Sequence, residues 1–158
     1  CAASIAKGYV DKEECAPNCR KLNISVDGVL SDVALVDVAV SDKRFIGSRA
    51  IWDTKSVSDL YMAKASPEAI GLSSIGGFLS PLFESDEFGL HVVLNGEVTQ
   101  EVMAPVIPGK LERIGISSYE KMPFHKPFTV SGKQCTLALD GERAIPLKEN
   151  QVHAPFGT

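Results

Sequence analysis

Three two-residue turn signals, Asp27-Gly28, Asn95-Gly96 and Asp140-Gly141, divide this chain into strands. Each joins a residue that tolerates the left-handed conformation to a glycine, the combination a tight hairpin requires. The flanking residues agree. Leu22, Ile24 and Val26 alternate with polar partners ahead of the first turn. Residues 33–40 are almost continuously apolar, broken only by Asp37, and predict one central strand buried on both faces. Residues 57–62 and 88–94 read as strands, and Asn95-Gly96 predicts a hairpin returning along 97–102. Residues 105–109, with prolines at both 105 and 108, read as a rigid connection. Further strands are predicted at 114–118 and 128–130, and at 136–139 and 144–147 around Asp140-Gly141. The expected fold is mostly β, a layered β-sandwich with one short capped helix.

That helix is expected in 65–81. Ser66 suits the N-cap, Pro67 the first helical position, and Gly76-Gly77 the stop, which gives roughly two to three turns. Two glycines together also let another backbone or a ligand come close. Residues 1–20 read as an irregular lead-in and 21–158 as a single β domain.

The bulk properties exclude several functions. A net charge of −4, with no run of more than two Lys or Arg, leaves no phosphate-tracking stripe, so no nucleic-acid partner is expected. Apolar stretches are strand-sized, so no membrane partner is expected either. Cys15 and Cys19 have no second cysteine pair, and His91, His125 and His153 lack ligand spacing, so no zinc or other metal is expected. Cys1 and Cys135 complete the cysteines, and a reduced, cytoplasmic chain is the expectation. The chain opens at Cys1 without a Met, which fits lipoprotein processing or an internal start, and the internal start is favoured.

Asp37 is the acid of most interest. A carboxylate among apolar neighbours is costly to bury without a partner. Facing a cleft, it would orient a ribose hydroxyl or act as a base; at a strand edge it would only be solvated. Ser66, Ser73 and Ser74 could hydrogen-bond a polar ligand, or serve as cap and small packing residues. Glu68 in the first helical turn suits the helix dipole and discourages phosphate. Asp140 reads first as a turn residue and second as a ligand contact. Phe45 and Trp52 flank Arg44 and Arg49, which could stack on or pin an anion. No Gly-x-Ser-x-Gly elbow, P-loop or Rossmann fingerprint is present, so no residue is assigned as catalytic.

The order of these features resembles the C-terminal domain of the NAD kinase superfamily, and within it the AcoX proteins of acetoin catabolism. The residues carrying the resemblance are Leu22-Asn-Ile-Ser-Val-Asp-Gly28 and Ala34-Leu-Val-Asp-Val-Ala-Val40, then Ser66-Pro67 with Gly76-Gly77. Ala104-Pro-Val-Ile-Pro108 and Leu137-Ala-Leu-Asp-Gly-Glu142 follow. Ala50-Ile-Trp-Asp53 and Gly71-Leu-Ser-Ser-Ile-Gly-Gly77 have an AcoX character. Two family features differ: the Gly-Ser-Thr-Ala-Tyr string is replaced by Glu68-Ala-Ile-Gly-Leu72, and the Asn-Glu pair by Val36-Asp37.

The resemblance implies a C-terminal, dinucleotide-side domain linked to NAD phosphorylation or acetoin catabolism. It implies NAD and ATP/Mg²⁺ as ligands, with Asp37, Ser66, Glu68, Ser73, Ser74, Gly76, Gly77 and Asp140 as binding residues. The family's Gly-Gly-Asp-Gly motif lies in an N-terminal α/β domain, so that domain is the expected partner and this chain alone is not expected to phosphorylate NAD. A homo-oligomer is also expected. The alternatives are a non-catalytic nucleotide-binding accessory protein and a β oligomerisation module.

Overall fold

A computed structural model of the chain describes residues 20–42, 54–130, 135–147 and 152–157, the last as backbone only. The phenylalanine, tryptophan and arginine group at 44–52 and the cysteines at 1, 15 and 19 lie outside the described residues. Strands β1 (Lys21–Val26) and β2 (Val29–Ala34) form the first hairpin. Asp27 and Gly28 both take positive φ, 51° and 81°, as the right-handed twist of a two-residue hairpin demands. Next come β3 (Asp37–Ser41), a single 3₁₀ turn (Thr54–Ser56) and β4 (Val57–Met62). The helix α1 (Ser73–Leu79) and β5 (Phe88–Val93) follow. After these run β6 (Gln100–Ile107), β7 (Lys110–Ile116), β8 (Ser118–Pro123) and β9 (Pro127–Val130). The last are β10 (Cys135–Leu139), β11 (Arg143–Leu147) and β12 (Val152–Gly157).

Three antiparallel sheets stack in layers. The middle one has the order β11-β10-β3-β4-β5-β8, one outer sheet β2-β1-β12-β9, and β6 and β7 pair only with each other. Alternation along the middle strands builds two cores. Val38, Val40, Tyr61, Leu137 and Leu139 point one way, onto Leu22 and Ile24 of β1. Ala39, Leu60, Met62, Leu90 and Val92 point the other way, onto Ile75 of α1 and Ile114 and Ile116 of β7. The mostly β, layered fold expected from the turns is the one observed.

Five local readings differ from the structure. The apolar run at 33–40 is two strands, broken at Leu35 and Val36. It is buried on both faces only from Asp37 onward, where β3 lies between β4 and β10. The cap signal at Ser66 makes a turn and not a helix. Ser66 Oγ accepts from the Glu68 N–H at 3.2 Å and its carbonyl from Ala69 N–H at 3.1 Å. Gly71, at φ +108°, then prevents any helix from running through, and α1 begins only at Ser73.

Gly76 and Gly77 therefore lie inside the helix. A Cβ on Gly77 would stand 2.1 Å from the Ser66 carbonyl carbon, and one on Gly76 2.7 Å from Met62 Sδ. The pair seats α1 directly on the turn that was expected to begin it. Asn95-Gly96 closes no hairpin, because both edges of β5 are taken by β4 and β8. The turn that does reverse the chain there is Pro108-Gly109, with Gly109 at φ +75°, and Pro105 lies within β6.

Candidate functional site

The β2–β3 break and the late start of α1 together open a cavity of about 260 Å³ on the helix side of the middle sheet. Asp37 and Ala39, two residues apart on β3, share the face that looks into it, and Ala138 of β10 lies beside them. The segment leading into α1 supplies Ile70, Gly71, Leu72 and Ser73, and β6 supplies Val106. Gly71 N–H donates to the Pro105 carbonyl at 3.0 Å, which ties this segment to β6 at an irregularity in the β6–β7 register. The walls are mostly hydrocarbon, and the polar groups are few.

Asp37 is the chemically distinctive group. It is only 7% exposed, and no described residue donates a hydrogen bond to its carboxylate. Burial, and then the negative charge of Asp140, push its carboxyl up to about 7. Such a group exchanges a proton near neutrality, so it can act as a hydrogen-bond donor, an acceptor or a general base.

Asp140 has a different position. Its Oδ1 accepts from the N–H groups of Leu35 at 3.0 Å, Val36 at 2.8 Å and Asp37 at 3.3 Å. Its Oδ2 accepts from Leu35 N–H and from Arg143 Nη2, each at 3.1 Å. The turn residue expected at 140 thus lines the cavity while its carboxylate holds the β2–β3 break in shape.

The other candidates fall into two groups. Ser73 lines the cavity with Asp37 and Asp140, so three of the eight proposed residues converge there. Ser74 is fully buried, and its hydroxyl donates to the Gly71 carbonyl at 2.6 Å. Ser66, exposed Glu68, Gly76 and Gly77 form the turn and the helix seated on it, and none lines the cavity.

Sequence reasoning did not single out a second titratable cluster, on the other face of the middle sheet. His91 Nε2 lies 3.0 Å from Asp59 Oδ1, and its Nδ1 lies 3.3 Å from Glu120 Oε1. Its ring stacks on Tyr61 at 4.3 Å, and Tyr61 stacks on Phe128 of the outer sheet at 3.7 Å. Burial works against the charged ring, but hydrogen bonds to the two carboxylates outweigh it and raise its pKa. The only signal in the sequence is position: 59, 91 and 120 become neighbours through strand register.

Among the described residues, no group of three or more His, Cys, Asp or Glu is arranged to hold a metal ion. No helix among them is long and apolar enough to cross a membrane.

Fold and site together define a three-layered β domain with a cavity, lined in part by two acids, between its middle sheet and helix α1. Residues 20–154 match the family described as acetoin catabolism protein X C-terminal domain, and the chain belongs to that family. It is 34% identical over 146 residues to acetoin catabolism protein X of Cupriavidus necator (strain ATCC 17699 / DSM 428 / KCTC 22496 / NCIMB 10442 / H16 / Stanier 337). That alignment covers 89% of this chain and 41% of the relative, so the chain spans less than half of the relative's length.

Proposed function

We propose that this chain is the ligand-binding domain of an AcoX-type protein and that the cavity around Asp37 receives part of a dinucleotide. The observation that carries the reading is the Asp37 carboxyl, buried without a described hydrogen-bond donor at the wall of a cavity. The carboxyl is largely removed from water, and a ligand donor would give it a hydrogen bond that the mostly apolar walls do not. At about 260 Å³ the cavity lies below the roughly 300–1,000 Å³ of drug-sized sites, so it takes one moiety of a dinucleotide. Asp37 would accept a hydrogen bond from a ribose hydroxyl, with Ser73 as a second polar contact.

The cavity does not fit ATP or Mg²⁺. Asp140 has both oxygens engaged by N–H donors, and no lysine or arginine among the described residues lines the cavity to receive phosphate. Phosphates of the ligand would lie outside its mouth, away from two acids. By resemblance to the NAD kinase superfamily, the assembled protein would transfer a phosphoryl group from ATP to a hydroxyl of NAD. The groups that bind ATP would then come from outside the described residues. The acid-lined cavity equally favours a second reading, binding without phosphoryl transfer.

Calorimetric titration of NAD into this chain tests the proposal. A saturable 1:1 isotherm, weakened tenfold or more by Asp37→Ala, is expected. No heat of binding, or an unchanged isotherm in the variant, would remove the assignment. Consumption of ATP in the presence of NAD by a longer AcoX-type protein containing this domain would separate the two readings.

A further inference from the structure

We propose that the cavity selects a compact organic cation: a primary ammonium group that donates hydrogen bonds to the Asp37 carboxylate while its hydrocarbon part lies on Val36, Leu72 and Val106. The proposal takes from the reading above only that this cavity is a ligand site; an ammonium ion seated on Asp37 would compete with the ribose of a dinucleotide for it.

Charge is the first argument. Among the described residues, the titratable groups lining the cavity are Asp37 and Asp140. Of the elements packed around Asp37, α1 and its lead-in present Ile70, Gly71, Leu72 and Ser73, and β6 presents Val106, none of them titratable. On the β4 side the residue paired with Asp37 is Met62. The β10–β11 turn presents Asp140, whose charge faces Asp37. Two described cations lie close by: exposed Lys64, whose N–H donates to the Val36 carbonyl at 3.2 Å but which does not line the cavity, and Arg143, whose guanidinium is committed elsewhere. Nη2 donates to Asp140 Oδ2 at 3.1 Å and to the Val33 carbonyl at 2.8 Å, and Nη1 donates to Asp32. An anion would meet two acids there. A neutral ligand would leave an ionised Asp37 without a counter-charge, and an ammonium ion would supply one.

Proton balance is the second. Asp37 in the empty cavity shares its proton with solvent near neutral pH. A cation stabilises the carboxylate, so below neutrality its entry displaces that proton from Asp37 to water. Affinity for the cation must then rise with pH, and affinity for a neutral isostere must not.

Isobutylammonium and isobutanol share a carbon skeleton and differ in charge, and the ammonium stays protonated over the range used. Each is titrated into the ¹⁵N-labelled chain at pH 6 and pH 8, following the amides of Asp37, Gly71, Ser73 and Gly141. Isobutylammonium is expected to shift these amides, with Kd falling about tenfold between the two pH values, as an acid titrating at about 7 becomes ionised. Isobutanol is expected to leave them in place at the same concentration. Asp37→Asn, whose remaining spectrum reports whether it is folded, should abolish the response to the cation.

Equal binding of the two probes, or a cation Kd that is the same at both pH values, would overturn the proposal. Amides that respond to NAD and to neither probe would overturn cation selection and leave the ligand site standing. Amides that respond to none of the three would overturn both.

Discussion

Asp140 and Asp37 hold one another across the β10–β11 turn. The Asp140 N–H donates to the Asp37 carbonyl at 3.0 Å, and Asp140 Oδ1 accepts from the Asp37 N–H at 3.3 Å. The same carboxylate gathers the N–H groups of Leu35 and Val36, three successive donors in all. Such a concave run of N–H groups is a favourable seat for an anionic oxygen. Burial, and then the negative charge of Asp140, raise the Asp37 carboxyl to about 7. Asp140 is thus a positioning residue for the acid in the cavity.

Removing it should cost stability. Asp140→Ala leaves the N–H groups of Leu35 and Val36 without their acceptor, and Arg143 loses one of its acceptors. With hydrogen bonds to charged groups worth about 1.5–3 kcal/mol each and not additive, a loss of about 2–4 kcal/mol is expected. Asp140→Asn, which retains one oxygen acceptor, should lose less. Urea unfolding of the three proteins checks the order, and equal stability of Asp140→Ala and wild type would contradict it.

Asp37 should oppose folding at alkaline pH. Its carboxyl ionises at about 7 in the folded chain, above its ordinary value of 3.8. Between those values the folded state holds the proton more tightly than the unfolded state, so stability falls as pH rises and levels off above about 7. Asp37→Asn, which has no proton to lose, should be more stable than wild type at pH 8 by a few kcal/mol, on the order set by linkage. The gap should narrow toward pH 4. A gap independent of pH would show that Asp37 titrates normally.

Gly76 and Gly77 should respond unequally to alanine. Helix propensity alone would favour both replacements by about 1 kcal/mol. At Gly77, however, the new Cβ would lie 2.1 Å from the Ser66 carbonyl carbon and 2.3 Å from Pro67 N, which are backbone atoms. At Gly76 the nearest atom is the Sδ of the flexible Met62 side chain. Gly77→Ala should therefore destabilise by about 2–3 kcal/mol or more and Gly76→Ala by less, measured by denaturant unfolding. The reverse order would mean that α1 does not rest on Ser66-Pro67.

His91 should titrate above its ordinary value of 6.5, because both ring nitrogens face carboxylates. Its contribution to stability should be complete below 6.5 and decline as pH rises through the folded value. Ring-proton NMR titration checks the direction. In Asp59→Asn, which removes the nearer carboxylate, the His91 pKa should fall.

The sequence is most legible where local chemistry decides the outcome. Asp27-Gly28 and Asp140-Gly141 form the turns their residue types demand, and residues 57–62 form the strand their pattern implies. It misleads where residues outside the signal itself decide. Ser66-Pro67 carries a helix-start signal, but Gly71 interrupts the backbone before a helix can form. Asn95-Gly96 carries a hairpin signal, but β5 has partners on both edges already. In the site, Asp37 stands out in the sequence as an acid in an apolar run. Val106 and Ala138 do not, since ordinary apolar residues become cavity walls only through sheet order.

The most direct test of the account is a ¹³C NMR titration of the Asp37 side-chain carboxyl, with and without NAD. This carboxyl is expected to titrate at about 7 in the free chain, and its resonance and midpoint to move when NAD is added. Titration near the ordinary 3.8, unaffected by NAD, would contradict both the buried acid and the ligand site built on it.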